Sequence, residues 1–271
     1  MKNKLHFRTI VISDLHLGTT GSKAKEVTNF LKQYKCRKLI LNGDIIDGWQ
    51  LKKYGAWKKK HTAFFKTVLK MMDDYDTKVI YLRGNHDDFL DQIMPLKLGK
   101  QFQIRKDYIL KSGDKRFYIT HGDVFDSITT HMKWLAYLGD VGYTFLLWIN
   151  KLYNHYRNWQ GLPYYSLSQV VKQRVKAAVN YISDFEEKLT ELARSRNCDG
   201  IICGHIHQPA IRQMGDVVYM NSGDWVESLS ALVEDYNGNW SLIYYNEEAK
   251  TAKEPTISEF FGQRERLVKV S

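Results

Sequence analysis

Pairs of titratable side chains follow two short apolar runs of this sequence. Asp14 and His16 follow the run RTIVIS, and His205 and His207 follow the run GIIC. Side chains at positions i and i+2 of an extended chain lie on one face, so we expect each pair to point at a common spot beyond its strand. Carboxylates and imidazoles placed together in this way can bind a metal ion or transfer protons.

The same residue types recur where three further apolar runs end, in the segments NGD, GNHD and THGD. The side chains at these ends are Asp44, Asn85, His86, Asp87, His121 and Asp123. Because ligands of open α/β sheets bind at the carboxyl ends of the strands, we expect all five segments to converge. The glycines at positions 43, 84, 122 and 204 let the backbone turn sharply and approach the bound ligand closely.

The candidate ligands are carboxylates, imidazoles and one amide oxygen, with no thiolate among them. Such a set suits divalent ions such as Mn²⁺, Fe²⁺, Zn²⁺ or Co²⁺. The sequence offers seven candidate ligands at these strand ends. They are too many for one tetrahedral ion, but two ions that share a bridging carboxylate, about 3.5–4 Å apart, account for them.

Helical patterns lie between the first three apolar runs. Apolar residues recur at helical spacing in both patterns, at Val27, Phe30, Leu31 and Tyr34 and at Phe64, Phe65, Val68, Leu69 and Met72. This alternation predicts an α/β fold with a largely parallel inner sheet and covering helices. The later segments IRQMGDVVYM, SALVEDY and WSLIYY indicate a more antiparallel completion of the sheet.

A long insertion, about residues 124–197, has no strand pattern and predicts aromatic helices followed by a basic helix. We expect residues 1–247 to form a single domain that carries this insertion, and residues 248–271 to form a charged C-terminal tail. The insertion lies between the segments of His121 and His205, so it predicts a helical lid over the metal ions. Its aromatic and apolar residues include Phe125, Trp134, Tyr137, Tyr143, Phe145, Leu146, Leu147 and Trp148.

Composition restricts the class of partner. The 271 residues are 44% hydrophobic and 26% charged, as in an ordinary globular protein. The net charge of +10 indicates anionic partners, such as phosphorylated substrates or acidic lipid surfaces. No nucleic-acid motif accompanies this charge, so we expect no nucleic-acid partner. Three cysteines without zinc-finger spacing and the lack of a signal-peptide pattern favour a cytoplasmic protein.

The motifs DLH, GDIID, GNHD, HGD and GHIH, in this order, resemble the calcineurin-like metallophosphoesterase superfamily. The resemblance implies a four-layer α-β-β-α sandwich with a helical lid insertion. It implies that Asp14, His16, Asp44 and His207 hold one ion, and that Asp44 bridges to a second ion held by Asn85, His121 and His205. His86 is then the histidine near the scissile phosphorus, and Asp87 orients it by hydrogen bonding.

The resemblance also implies a mechanism, in which a hydroxide bridging the two ions attacks phosphorus in line. His86 acts as acid or as electrostatic stabiliser. Within the superfamily, the HGD segment, the position of the lid and GHIHQPA resemble the UDP-2,3-diacylglucosamine pyrophosphatase group of lipid A biosynthesis. Enzymes of that group release UMP and 2,3-diacylglucosamine 1-phosphate, favour Mn²⁺ and work at the cytoplasmic face of the inner membrane, as peripheral proteins.

Several alternatives stand beside these expectations. The best-known members of the pyrophosphatase group carry arginine at the position of His86, which favours a paralogue that cleaves another lipid-linked or nucleotide phosphoester. A non-catalytic metal-binding scaffold is the third possibility. Asp123 could orient a ligand or contact the substrate, and Asp47 could simply cap the helix that follows it. Basic residues of the insertion (Lys172, Arg174 and Lys176) could meet a pyrophosphate or anionic headgroups. We infer no obligate protein partner.

Overall fold

The structure is a computed structural model that describes residues 5–55, 57–124, 151–161 and 167–245, with the backbone alone for residues 5 and 167–178. Its strands form a seven-stranded sheet in the order β12-β11-β1-β2-β3-β5-β4 and a five-stranded sheet in the order β6-β7-β8-β10-β9. The strands are β1 Leu5–Ile12, β2 Tyr34–Asn42, β3 Lys78–Leu82, β4 Leu96–Leu98, β5 Phe102–Arg105, β6 Tyr108–Ser112, β7 Lys115–Ile119, β8 Gly200–Cys203, β9 Ala210–Met214, β10 Val217–Asn221, β11 Ser230–Glu234 and β12 Trp240–Tyr244.

Helices connect or cover these strands. They are α1 Ala24–Gln33, α2 Gly48–Tyr54, α3 Lys59–Tyr75, α4 at residues 151–159 and α5 Leu167–Ser195, with a short 3₁₀ helix at Asp88–Gln92. The predicted apolar stripe of α1 is confirmed at Val27, Phe30 and Leu31, which are buried, but not at Tyr34, which is the first residue of β2. In α3 the stripe is partly wrong: Phe64 and Val68 are buried, whereas Leu69 is 60% exposed.

Three apolar clusters hold the layers together. One lies between α1, α3 and the seven-stranded sheet and includes Phe30, Phe64 and Leu39. The second lies between the two sheets, where Ile40 and Ile80 share a cluster with Ile202. The third joins Phe185 and Leu189 of α5 to the five-stranded sheet. The order of layers is therefore helix, sheet, sheet, helix, which confirms the predicted α/β sandwich.

The pairing of strands explains why the site forms at one edge. β1, β2 and β3 are parallel neighbours, as predicted, and β7 and β8 are parallel neighbours in the other sheet. β11 and β12 add to the first sheet in antiparallel fashion, as expected. β9 and β10 also pair in antiparallel fashion, as expected, although β10 runs parallel to β8 on its other side. The carboxyl ends of the parallel strands thus lie at a common edge.

The long insertion is helical where the structure describes it. The carboxyl-terminal part of α5 packs on the five-stranded sheet, so this part of residues 124–197 belongs to the sandwich itself. The aromatic residues at positions 125–148 and the tail at 248–271 lie outside the described residues, as do the side chains of Lys172, Arg174 and Lys176. None of the helices in the described ranges is long and apolar enough to cross a membrane.

Candidate metal centre

The loops that follow β1, β2, β3, β7 and β8 contact one another. Backbone N–H groups of one loop donate hydrogen bonds to carbonyl or carboxylate oxygens of another. His16 N–H donates to the carbonyl of Asp44 at 2.9 Å, and His86 N–H donates to Asp44 Oδ1 at 2.8 Å. Across the two sheets, His205 N–H donates to Asp14 Oδ2 at 3.0 Å. Five chain segments that are far apart in the sequence therefore converge, as predicted.

The pairs Asp14/His16 and His205/His207 do not lie in extended strands, so the prediction that an extended chain aligns each pair is wrong. β1 ends at Ile12 and β8 ends at Cys203, before either pair begins. Asp14, His16, His205 and His207 all have positive φ, between 46° and 69°, and Asp44 has φ 53°. The pairs therefore lie in left-handed turns, where side chains at i and i+2 need not share a face.

In these turns, His205 and His207 belong to different groups of donor atoms. Asp14, His16 and His207 form one group, and Asp44, His121 and His205 form another; within each group the donor atoms lie within 4.8 Å of one another. In the first group His207 Nε2 is 3.1 Å from Asp14 Oδ1. In the second His121 Nε2 is 3.3 Å from Asp44 Oδ2. The structure thus brings six of the seven predicted ligands into these two groups, and their division between two ions stays a prediction.

The donor set fits divalent metal ions. Asn85 Oδ1 and His121 Nε2 are buried without a hydrogen-bond partner among the described residues, although buried polar atoms are normally satisfied. Asp14 is fully buried, yet the charges of His207 and His121 outweigh burial and hold its pKa well below the usual range. A buried cluster of carboxylate, imidazole and amide groups, with polar atoms that no described residue satisfies, is what a divalent cation requires.

The His121 ring is oriented by the strand that precedes Asp44. Its Nδ1 donates to the carbonyl of Asn42 at 2.9 Å, so Nε2 faces the centre. Burial opposes the charged ring, but the carboxylates of Asp44 and Asp14 raise the pKa of His121 to about 10. A bound cation would reverse this balance, because the ring must be neutral to act as a ligand.

Two of the predicted glycines leave room for the ligands. A Cβ at Gly84 would lie 2.3 Å from Asp44 Oδ1, and a Cβ at Gly43 would lie 2.4 Å from the His121 ring. Both distances are far below van der Waals contact. Glycine is therefore required at these two positions, because the side chains of Asp44 and His121 lie too close to the backbone for any Cβ.

Asp47 has a role that the sequence did not reveal. Its Oδ1 accepts the N–H of Gln50 at 2.8 Å, so it caps α2 as expected. Its Oδ2, in addition, lies 3.0 Å from His86 Nδ1 and 3.4 Å from His16 Nδ1. Burial opposes ionisation of Asp47, but these two contacts and the cap lower its pKa. One carboxylate thus supports both a candidate ligand and the candidate catalytic histidine.

His86 lies at the centre, beside both groups. Its Nε2 is 3.9 Å from Asp44 Oδ2, and it forms a third donor group with His16 and Asp44. The ring also packs on Trp49, with 4.4 Å between the ring centroids. Trp49 is 50% exposed, and its indole N–H donates to Asp88 at 3.1 Å. Trp49 was not among the predicted site residues, although it follows Asp47 by only two positions.

Asp87 does not contact the His86 ring as the resemblance implied. Asp87 is fully buried and accepts the N–H groups of Ile45 and Ile46 and the hydroxyl of Tyr81. Burial and the charge of Asp44 raise its pKa to about 7. Asp87 therefore supports the Asp44 loop, and the contact with the His86 ring comes from Asp47.

Asp123 forms an ion pair with Arg83, whose guanidinium also contacts both carboxylate oxygens of Asp91 at 3.0 Å. This pairing holds the loop after β3 to the loop after β7. Contact of Asp123 with substrate stays an untested expectation.

The segment NSGDW after β10 also supports the centre, which the sequence did not indicate. Asn221 donates to the carbonyl of Gly204 at 2.9 Å, and the hydroxyls of Ser222 and Ser13 are 2.7 Å apart. Trp225 N–H donates to the carbonyl of Asp14 at 3.0 Å. These bonds fix the backbone on both sides of Asp14 and His205.

Comparison with known proteins assigns the chain to a family. The profile described as calcineurin-like phosphoesterase matches residues 7–209, which is most of the chain and includes every predicted ligand. The chain belongs to the calcineurin-like phosphoesterase family. It is therefore a phosphoester hydrolase of the metallophosphoesterase type, and its aspartate and histidine clusters indicate that it binds divalent metal ions.

Solved structures of similar proteins share low sequence identity with this chain. An archaeal phosphodiesterase is 14% identical, covering 87% of this chain and 98% of its own, with a TM-score of 0.41. The phosphoesterase YfcE of E. coli is 18% identical, covering 88% and 99%, with a TM-score of 0.41. Vps29 of Chaetomium thermophilum is 10% identical, covering 89% and 95%, with a TM-score of 0.45. A search of curated proteins found no match.

Proposed function

We propose that this protein cleaves the pyrophosphate bond of UDP-2,3-diacylglucosamine to UMP and 2,3-diacylglucosamine 1-phosphate. The hydrolase class follows from the family. The observation that carries the catalytic assignment is the position of His86, which lies beside both candidate ligand groups with its Nε2 directed at Asp44. The lipid substrate is supported by the sequence alone, through the motif resemblance, the aromatic residues at 134–148 and the net charge of +10.

The metal ligands of the proposed enzyme come from the strand-end loops. Asp14, His16, Asp44, Asn85, His121, His205 and His207 would hold the two ions. When bound, two divalent ions supply charge stabilisation for the phosphoryl oxygens and lower the pKa of a water molecule. We propose Mn²⁺ for both, although Fe²⁺, Zn²⁺ or Co²⁺ suits the same donors.

His86 is the proposed general acid or electrostatic stabiliser. The carboxylate of Asp47 lies 3.0 Å from Nδ1 of His86, and Nε2 lies 3.9 Å from Asp44. The ring is then fixed with Nε2 toward the site, where it can donate to a phosphoryl oxygen or to the leaving group. Trp49 packs against the same ring and restricts its rotation.

The test is Mn²⁺-dependent turnover of UDP-2,3-diacylglucosamine against unacylated UDP-N-acetylglucosamine, with release of UMP as the readout. We expect strong preference for the acylated compound and loss of turnover in Asp44→Asn and in His86→Ala. Asp74→Asn, a change at an exposed carboxylate of α3, is the matched control. Equal turnover of both compounds would reject the lipid substrate.

The acyl-lid hypothesis has its own experiment. We expect Trp134→Ala and Trp148→Ala to raise KM for the acylated substrate and to spare a small aryl phosphodiester. Equal losses on both substrates would contradict an acyl-binding lid. This proposal also implies peripheral contact of the protein with the cytoplasmic face of the inner membrane.

A second candidate is a paralogue that acts on another lipid-linked or nucleotide phosphoester. His86 favours it, because the best-known members of the pyrophosphatase group carry arginine there. Hydrolysis of the aryl phosphodiester without hydrolysis of UDP-2,3-diacylglucosamine would support this candidate. Metal binding without turnover of any phosphoester would instead indicate a non-catalytic scaffold.

A further inference from the structure

A basic groove lies at the edge of the seven-stranded sheet opposite the metal centre. It consists of a cavity of about 480 Å³, lined by cationic residues that include Lys35, Arg37, Lys38 and Lys78. An adjoining cavity of about 230 Å³ shares Lys38 and Lys78 and adds Lys97 and Lys100. We call these two cavities together the basic groove. The larger one has the volume of a site for a small molecule.

The groove is separate from the catalytic edge because it lies where the parallel strands begin. Lys35 is near the start of β2 and Lys78 is the first residue of β3, whereas the ligand loops follow the ends of these strands. At about 3.3 Å per residue, Lys35 and the last residue of β2 are roughly 20 Å apart. A ligand in the groove therefore would not contact the metal ions.

Among the described residues, the cations of the groove form no ion pair with an acidic side chain within 4.0 Å. Asp76 is the one acidic residue in the described lining of the two cavities, and Gln101 donates to its carboxylate at 2.7 Å. Glu234 interacts electrostatically with Lys38, but it also forms an ion pair with Arg8 at 3.5 Å and accepts the hydroxyls of Thr9 and Ser112. Its charge is thus already engaged within the sandwich.

Two of these cations are held against each other by the sheet. Lys38 and Lys78 are direct partners in the register of β2 and β3, so their Cα atoms are about 4.8 Å apart. Like charges directly opposite each other destabilise a sheet. Burial lowers the pKa of Lys38, and Arg8 and Lys78 lower it further, while Glu234 opposes them. An anion in the groove would relieve this repulsion.

We propose that the basic groove is a second binding site, for a ligand that carries two or more linked phosphate groups. Several lysines and one arginine line one concave surface, and a ligand with several linked phosphate groups can meet more of these charges than a single carboxylate can. The phosphate groups could belong to a soluble compound or to lipid headgroups, and both present the same chemistry to the lysines.

The first arm of the test uses inorganic tripolyphosphate and the full chain, with a chelator present so that no metal ion can bind the probe. Isothermal titration calorimetry is run on the wild type and on Lys78→Gln/Lys100→Gln, which alters two exposed side chains. The control is Lys66→Gln/Lys70→Gln, which removes the same charge from the exposed face of α3. We expect roughly tenfold weaker binding in the groove variant and unchanged binding in the control.

The second arm measures sedimentation with phosphatidylglycerol vesicles, with phosphatidylcholine vesicles as reference. Binding to the anionic vesicles that is lost in the groove variant would identify lipid headgroups as the source of phosphate. Binding of tripolyphosphate without vesicle binding would identify a soluble ligand. The proposal is overturned if the wild type binds neither probe, or if the groove and control variants lose affinity equally.

Discussion

Replacing Asp47 by asparagine tests whether one carboxylate controls both His16 and His86. Asparagine retains an oxygen for the cap of α2 but removes the charge that faces the two Nδ1 atoms, at 3.0 and 3.4 Å. Loss of the group that orients a ligand histidine typically reduces activity about 10- to 100-fold. This is about 1.4–2.7 kcal/mol of transition-state stabilisation. Because the rings of both His16 and His86 depend on Asp47, we expect activity to fall by nearly the larger of these two factors.

The assay is Mn²⁺-dependent hydrolysis of an aryl phosphodiester, combined with thermal unfolding. Asp47→Asn should lower kcat/KM while the variant remains folded at the assay temperature. Its unfolding midpoint should fall somewhat, because the depressed pKa of Asp47 shows that the charge stabilises the fold at neutral pH. Asp47→Ala also removes the cap, so it should lose about 1 kcal/mol of folding stability in addition. Asp74→Asn serves as the control for removal of a carboxylate. Wild-type activity in Asp47→Asn would refute the reasoning.

Three other changes test neighbouring parts of the centre. Gly84→Ala places a Cβ 2.3 Å from Asp44 Oδ1, so the purified variant should retain its circular dichroism but lose bound metal and activity. Trp49→Ala removes the ring that packs on His86, an interaction worth about 0.5–1.5 kcal/mol, so kcat should fall roughly 2- to 10-fold while Trp49→Phe keeps most activity. Since the pKa of His121 is raised to about 10, metal-free protein at pH 7.5 carries a proton there that metal must displace. Calorimetric titration with Mn²⁺ in two buffers of different ionisation enthalpy should show that release, and its absence would contradict the assigned ligand.

The elements with strong periodic patterns were predictable from the sequence, and those with weak ones were not. The carboxyl-terminal parts of β1, β2 and β3 are buried on both faces, so they appear as continuous apolar runs. β4 and β5 lie at one end of the seven-stranded sheet and β6 at one end of the five-stranded sheet, where half of their side chains meet solvent. Their mixed composition gives no apolar run, so only the family resemblance pointed to a second sheet.

The candidate ligands could be named from the sequence because their types and strand-end positions are local properties. The sequence could not show which of Asp47 and Asp87 contacts the His86 ring. Both follow a strand within a few residues, and Asp87 is the direct neighbour of His86. Which of them meets the His86 ring depends on the start of α2 relative to β3, where Gly48 N–H donates to the carbonyl of His86 at 3.0 Å. That contact joins two loops, and no local pattern encodes it.

The left-handed turns explain why residues that are not candidate metal ligands must hold the backbone of the centre in place. Each non-glycine residue in this conformation costs about 1 kcal/mol or more, and Asp14, Asp44 and His205 all adopt it. Such strain persists only where surrounding bonds fix the backbone. Here Trp225 and Asn221 supply those bonds on either side of the Asp14–His205 contact. Asn221→Ala should therefore impair metal binding without touching a ligand, because the turn around His205 would relax toward an unstrained conformation.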